Sequence, residues 1–351
     1  MRNHGLVWFR RLVVAVLGFG VSGVAVTAPR FDPGPSFLRY FAPVDTLRFD
    51  QPGLVLGEIT AFVGLDSACA VFDYKGHQLY YVDLARDSAW ALTLEDSLPG
   101  VRLDVMGLER YDRDSFVATI AWDYVVLLGP EGVRRAVNLR GVQAACHFAT
   151  AKGEVFLLEN PAPGDMWIAR VNLRTGRVQK LFSVPEVTAK LPNLIYRNSR
   201  NGGLLFYPGL GFYVANAYQN VIYDYDMSGR LIRVLRSGYH DYKTVPKDAP
   251  DPSPASVMRL VFHRKEPFDA VDRIFALNDR TILATYAYHR KLTGELFDVV
   301  TGKPLNHKPF RVPFLPVWAG KNRLFLRLPL EASDAWDIQN PGLVVFEYRG
   351  R

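Results

Sequence analysis

Residues Gly211 to Leu235 read GFYVANAYQNVIYDYDMSGRLIRVL. Three short apolar runs, FYVA, VIYDY and LIRVL, are separated by a polar turn and by a second turn ending in Gly229. Runs of this length bounded by Asn, Asp and Gly read as antiparallel strands, because those residues supply the turn conformations that β-branched residues resist. Such a stretch is either the rim of a working site or one copy of a recurring unit. Ala68 to Leu94 repeats its order, and Asp73 precedes Asp83 by the same ten positions that separate Asn216 from Asp226. Looser copies run Phe116–Leu139, Glu154–Phe182, Thr281–Leu305 and from Arg323 onward. Glycines close the turn after the third run at Gly132, Gly176, Gly229, Gly302 and Gly350, as expected where φ becomes positive. The stretch is therefore read mainly as a structural unit.

Helical periodicity is scarce after residue 30, and the units follow one another every 40 to 70 residues or so. Four-strand repeats near this spacing mark sheets that bury a face only against the next repeat. The fold class expected is all-β, a six-bladed β-propeller. The last unit stops after LVVFEY and its turn, which leaves its sheet one strand short. A lone strand-like run at Val44–Asp50 precedes the first unit and is expected to complete that sheet, closing the ring without a free edge. A degenerate seventh blade within 237–272 is the alternative count. The expected core comprises Phe62, Val71, Phe72, Tyr80, Val82, Ile120, Val126, Phe156, Leu158, Tyr213, Val214, Ile222, Tyr223, Leu283, Leu326 and Val345.

The Gly211–Leu235 copy resembles the NHL repeat, in which a strand ending YVAD leads through an Asn-containing turn to a RIxVFD strand and a Gly turn. Here YVAN ends at Asn216, Asn220 holds the turn and VIYDYDMSG follows. The chain is similar, over about residues 44 to 351, to the NHL-type and TolB-like six-bladed propellers exported by many bacteria. That resemblance implies a fold. It implies no single activity, because the same ring hosts enzymes, sensors and binding scaffolds.

Composition agrees with a large packed domain: of 351 residues 49% are apolar and 22% charged. The net charge of +7 includes Arg2, Arg10 and Arg11 of the leader, and no Lys/Arg block stands among stacking aromatics, so nucleic-acid binding is not expected. Residues 1–28 read as a signal peptide: a basic start, the apolar run Leu12–Val21, then small residues through Ala28. Export to the periplasm or beyond follows, with cleavage between Ser22 and Arg30. An uncleaved N-terminal anchor is the alternative, although the apolar run is shorter than the roughly 20 residues a span needs. Residues 29–43 read as an extended segment and 44–351 as the propeller. Cys69 and Cys146 lie in apolar strand-like runs and are expected to be buried thiols rather than a disulfide.

Chemistry is less legible. Asp73, Asp123, Asn160 and Asn216 end the second strand of successive units. Asp and Asn do this structurally by bonding their own backbone in turns. A ring of such oxygens, with Glu58, would otherwise hold Ca²⁺, which favours several oxygen ligands. The alternative function is accordingly a Ca²⁺-dependent hydrolase of lactonase type, or a lyase, using Glu58, Asp123, Asn160 and Asn216. His77, His147, His240, His263, His289 and His307 show no metal spacing, and no G-x-S-x-G, H-E-x-x-H or P-loop pattern is present. Gly202-Gly203 reads as a turn. An insertion at 237–272 interrupts the repeats and is Pro-rich in its first half. Long loops in compact domains are functional or solvated, and Tyr239, His240, Asp241, Tyr242 and Lys243 are its best contact residues. The leading expectation is an exported, non-catalytic binding or scaffold propeller without a cofactor, presenting its loop-rich face to a protein, peptide or glycan.

Overall fold

In the computed structural model the described residues are 33–51, 54–142, 144–151, 153–159, 166–188, 202–216, 219–237, 270–288, 291–328 and 341–350. They belong to one compact unit, Pro33–Arg351. A short turn of helix, α1 (Pro35–Leu38), leads into β1 (Phe41–Leu47), and all later sheets are built from consecutive strands. The first sheet comprises β2 (Ile59–Gly64), β3 (Ala68–Asp73), β4 (Gln78–Asp83) and β5 (Ser88–Ala91). The second comprises β6 (Val105–Arg110), β7 (Phe116–Ile120), β8 (Tyr124–Gly129) and β9 (Gly132–Asn138). The third comprises β10 (Ala144–Ala151), β11 (Glu154–Glu159), β12 (Trp167–Asn172) and β13 (Arg177–Ser183).

An eight-stranded sheet follows. One half is β14 (Gly202–Tyr207), β15 (Gly211–Asn216), β16 (Val221–Tyr225) and β17 (Leu231–Arg236). The other is β18 (Ala270–Ala276), β19 (Thr281–Tyr288), β20 (Lys291–Asp298) and β21 (Phe310–Arg311). The halves are antiparallel meanders joined at their first strands by a single parallel pair, Gly202 with Arg273. The Gly202-Gly203 pair is thus the start of a strand and not a turn. Its bareness permits the close approach: a Cβ on Gly203 would lie 2.3 Å from Cγ1 of Ile274. The last sheet comprises β22 (Leu315–Gly320), β23 (Arg323–Arg327) and β24 (Leu343–Tyr348), and β1 pairs antiparallel with β24 at its edge. That strand begins three residues before the run expected at Val44–Asp50, because Phe41 is itself an anchor, pairing with Tyr348.

The six units quoted from the sequence begin on the first residues of β3, β7, β11, β15, β19 and β23. Each is the outer part of a sheet, and the strand before it is the inner one. The inner strands touch in a cycle: β2 with β6, β6 with β10, then β14, β18, β22 and back to β2. Apolar residues consequently lie in layers between neighbouring sheets. One layer joins Phe62, Val71 and Phe325 to Leu108 and Phe116; another joins Val125 and Val137 to Val155 and Val171. Strands covered on both faces lose the alternation of a half-buried strand, so β3, β7, β15 and β16 are buried along their whole length. The expected core residues are buried except Tyr80, which is half-buried on β4.

The turns behave as the repeat predicted. Asn172 accepts from Thr175 through its side chain and from Gly176 through its carbonyl, and Asp298 does the same with Thr301 and Gly302. Cys69 on β3 is a free thiol whose burial pushes its pKa well above the ordinary value. The side chain of Cys146 lies outside the described residues. No helix among the described residues is long and apolar enough to cross a membrane.

Candidate functional site

The inner strands enclose a cavity of about 230 Å³. Every one of them lines it: Thr60 on β2, Glu109 on β6, His147 and Thr150 on β10, Leu205 on β14, Arg273 on β18 and Trp318 on β22. Its wall mixes backbone, apolar side chains and a few charges. Trp318 is only 8% exposed and packs edge-on against Phe62 and Phe325, at ring separations of 6.3 and 5.2 Å. Thr150 donates its hydroxyl to the carbonyl of Arg110, tying β10 to the lower end of β6.

Glu109 is the electrostatic outlier. It sits on a strand between sheets, half-buried beside the cavity it lines. Burial pushes its carboxyl up to about 8, against an ordinary value of 4.5, and the backbone N–H of Arg110 opposes this only in part. The folded chain therefore binds more protons than the unfolded chain between about pH 4.5 and 8. The stability contributed by this protonation is complete below that window and is lost as pH rises through it. Glu109→Gln has no proton to lose. It is expected to match the parent's melting temperature near pH 4 and to exceed it by roughly a few degrees above pH 8. Parallel melting curves for the two proteins across that range would show that Glu109 ionises freely.

Of the candidate metal ligands, the described ones, Glu58, Asp123 and Asn216, are not among the residues that line this cavity. Glu58, just before β2, faces Arg327 at 3.3 Å, and its backbone N–H donates to Asp73 Oδ1 at 2.7 Å. Asp123 is exposed in the turn between β7 and β8, where its backbone bonds Ile120 and Leu139. Asn216 is buried as the last residue of β15, paired with Gly202. Asn160 and the five residues Tyr239 to Lys243 lie outside the described residues. Among the described residues no three His, Cys, Asp or Glu gather as a metal cluster would require. Asp73 has the turn role foreseen for it: the buried carboxylate accepts from the N–H groups of Glu58, Lys75 and Gly76.

Glu109 and Arg273 were missed in the sequence. Their only signal is a charge inside an apolar run, in VMGLER and in AVDRIFA. A solvated strand face looks the same until neighbouring strands enclose it.

No family model matches the chain, and no curated protein matches it. Solved structures do resemble it. A Bacteroides fragilis protein inferred to be exported superposes with a TM-score of 0.53 at 9% identity, over 89% of this chain and 96% of that one. The WD40 repeats of RRP9 superpose with a TM-score of 0.50 at 10% identity, over 82% of this chain and 78% of that one. U3-55K gives the same score and identity, over 82% and 79% of the two chains. At such identities the likeness concerns architecture alone: this chain has a β-propeller fold.

Proposed function

We propose that this protein is an exported, non-catalytic binding propeller of six blades, presenting its loop-rich face to a protein, peptide or glycan of the cell envelope. The cyclic succession of six inner strands around one cavity carries the reading. Each half of the eight-stranded sheet counts as one blade, and β1 serves as the outer strand of the last. The fit of Gly211–Leu235 to the NHL pattern supports kinship with NHL-type and TolB-like propellers. In this organisation residues 1–28 are a cleaved leader. The ring, expected from residue 44, takes in β1 from Phe41, and the segment before it holds α1 and is not extended throughout. The insertion expected at 237–272 ends where β18 begins at Ala270. A ring of this kind places its apolar residues between blades, which leaves the loops free to specialise. The chain between β17 and β18 carries most of this insertion, since β18 itself begins at Ala270. In that segment Tyr239, His240, Asp241, Tyr242 and Lys243 supply aromatic, hydrogen-bonding and charged groups.

The tagged full chain should capture a partner from envelope extracts that mass spectrometry identifies. Deleting Tyr239–Pro254 is expected to reduce that capture at least tenfold while leaving the melting temperature within a few degrees. Unchanged capture by the deletion variant overturns the assignment of the face. The captured protein should begin between Ser22 and Arg30 on N-terminal sequencing; an intact Met1 would instead mean an anchor.

A further inference from the structure

Charges that hold this fold together have partners. Asp73 accepts three backbone N–H groups, Asp224 receives Arg233 at 2.6 Å, and Glu58 faces Arg327. Two charges in the central cavity do not follow that rule. Glu109 receives only the N–H of its neighbour Arg110, and the guanidinium of Arg273 has no ion-pair partner among the described residues. Taking a carboxyl and a guanidinium part of the way out of water in one ring is unfavourable unless they are paired. A purely structural role would have them pair with each other.

Their placement keeps them apart. Glu109 is on β6 and Arg273 on β18, three places away in the cycle of inner strands, so they stand on facing walls. Two further polar atoms of lining residues, Thr60 Oγ1 and the Nε1–H of Trp318, also lack a partner among the described residues, but they are buried behind the wall and not exposed to the cavity. Trp318 is more than nine-tenths buried, so water does not readily replace the missing acceptor. A partly buried acid and a partly buried base thus line one cavity of about 230 Å³. That is below the roughly 300–1,000 Å³ of pockets for drug-sized ligands, which restricts the occupant to something small.

We propose that the central cavity binds a small zwitterion of amino-acid or dipeptide size, its ammonium against Glu109 and its carboxylate against Arg273. This names a ligand for the binding ring proposed above and rests on that reading. The N–H of Arg110 bonds Glu109, and the titratable or charged residues that share the cavity lining with it are His147 on β10 and Arg273 on β18. With no cation beside it Glu109 keeps its proton at neutral pH, so taking an ammonium releases that proton to solvent. Affinity therefore rises with pH toward 8.

The test is isothermal titration of the full chain with the twenty amino acids and L-alanyl-L-alanine, at pH 6 and pH 8. For any binder, the N-acetylated and C-amidated forms are titrated too. At least one zwitterion is expected to bind saturably, one per chain, at least fivefold more tightly at pH 8. Glu109→Gln should weaken it at least tenfold while leaving its N-acetyl derivative unaffected. Arg273→Gln should do the reverse, sparing the amide. Both variants are checked for an unchanged fold by circular dichroism. The proposal is overturned if none of the probes binds, or if both variants bind the zwitterion as the parent does. Loss of partner capture on deleting Tyr239–Pro254 reads out the outer face independently, so failure in the cavity and failure of the binding function are distinguishable.

Discussion

Phe41→Ala is expected to cost about 3–5 kcal/mol, because the truncation empties the site that anchors the N-terminal strand. Phe41 is fully buried at the start of β1. Its ring stacks on Phe37 at 4.7 Å, and both rings meet Phe310 of β21 at about 6 Å. Phe37 also meets Phe346 of β24 edge-on at 4.9 Å, and Tyr348 lies 5.7 Å from Phe41. This aromatic cluster is what fixes the N-terminal strand to the last sheet and to its neighbour. Removing Phe41 leaves a cavity that rigid strands on both sides cannot collapse into. It also weakens the strand that shields the edge of β24. Urea unfolding followed by tryptophan fluorescence measures the loss. Val44→Ala on the same strand is the control, because Val44 is 47% exposed and should cost less than about 0.5 kcal/mol. Equal effects for the two substitutions would mean that β1 is not anchored by its aromatic end.

Asp73→Ala is expected to cost about 3–5 kcal/mol as well, by a different route. The Asp73 carboxylate is buried and accepts N–H groups from Glu58, Lys75 and Gly76 at 2.7, 3.2 and 3.1 Å. The first bond joins the start of β2 to the end of β3, and the other two shape the turn into β4. Alanine leaves three donors without their acceptor, whereas Asp73→Asn retains one oxygen and should lose roughly half as much. The same unfolding measurement tests both. A cost below about 1 kcal/mol for alanine would show that water satisfies those N–H groups, and that the acid is a turn preference rather than a bond between strands.

Asp73 and its relatives also explain why so much of the fold was legible. A residue that must bond its own backbone after a strand, and a glycine that must take a positive φ, are dictated locally. Asn172 with Gly176, Asp226 with Gly229 and Asp298 with Gly302 therefore stand out in a linear reading. So do the fully buried middle strands such as β3 and β15, whose apolar runs need no partner to be recognised. The inner strands were harder. β14 opens with two glycines and β6 contains Gly107 and Glu109, because these strands face neighbouring backbones and a polar cavity rather than a uniform apolar layer. Their residue choice answers to what lies across the ring.

The site follows the same division. Local chemistry in the sequence determined the outer strands, their turns and the order of the sheets, since each depends on residues only a few positions apart. It also indicated that an early strand completes the last sheet. Whether a charge is a solvated face or part of a cavity depends on strands distant in the chain. Glu109 and Arg273 are separated by more than a hundred residues, and nothing near either one distinguishes it from an ordinary surface charge. Only closure of the inner strands into a cycle puts both on the wall of one cavity. Desolvation there raises the Glu109 carboxyl toward 8, an effect that no local pattern encodes because it arises from atoms supplied by other sheets.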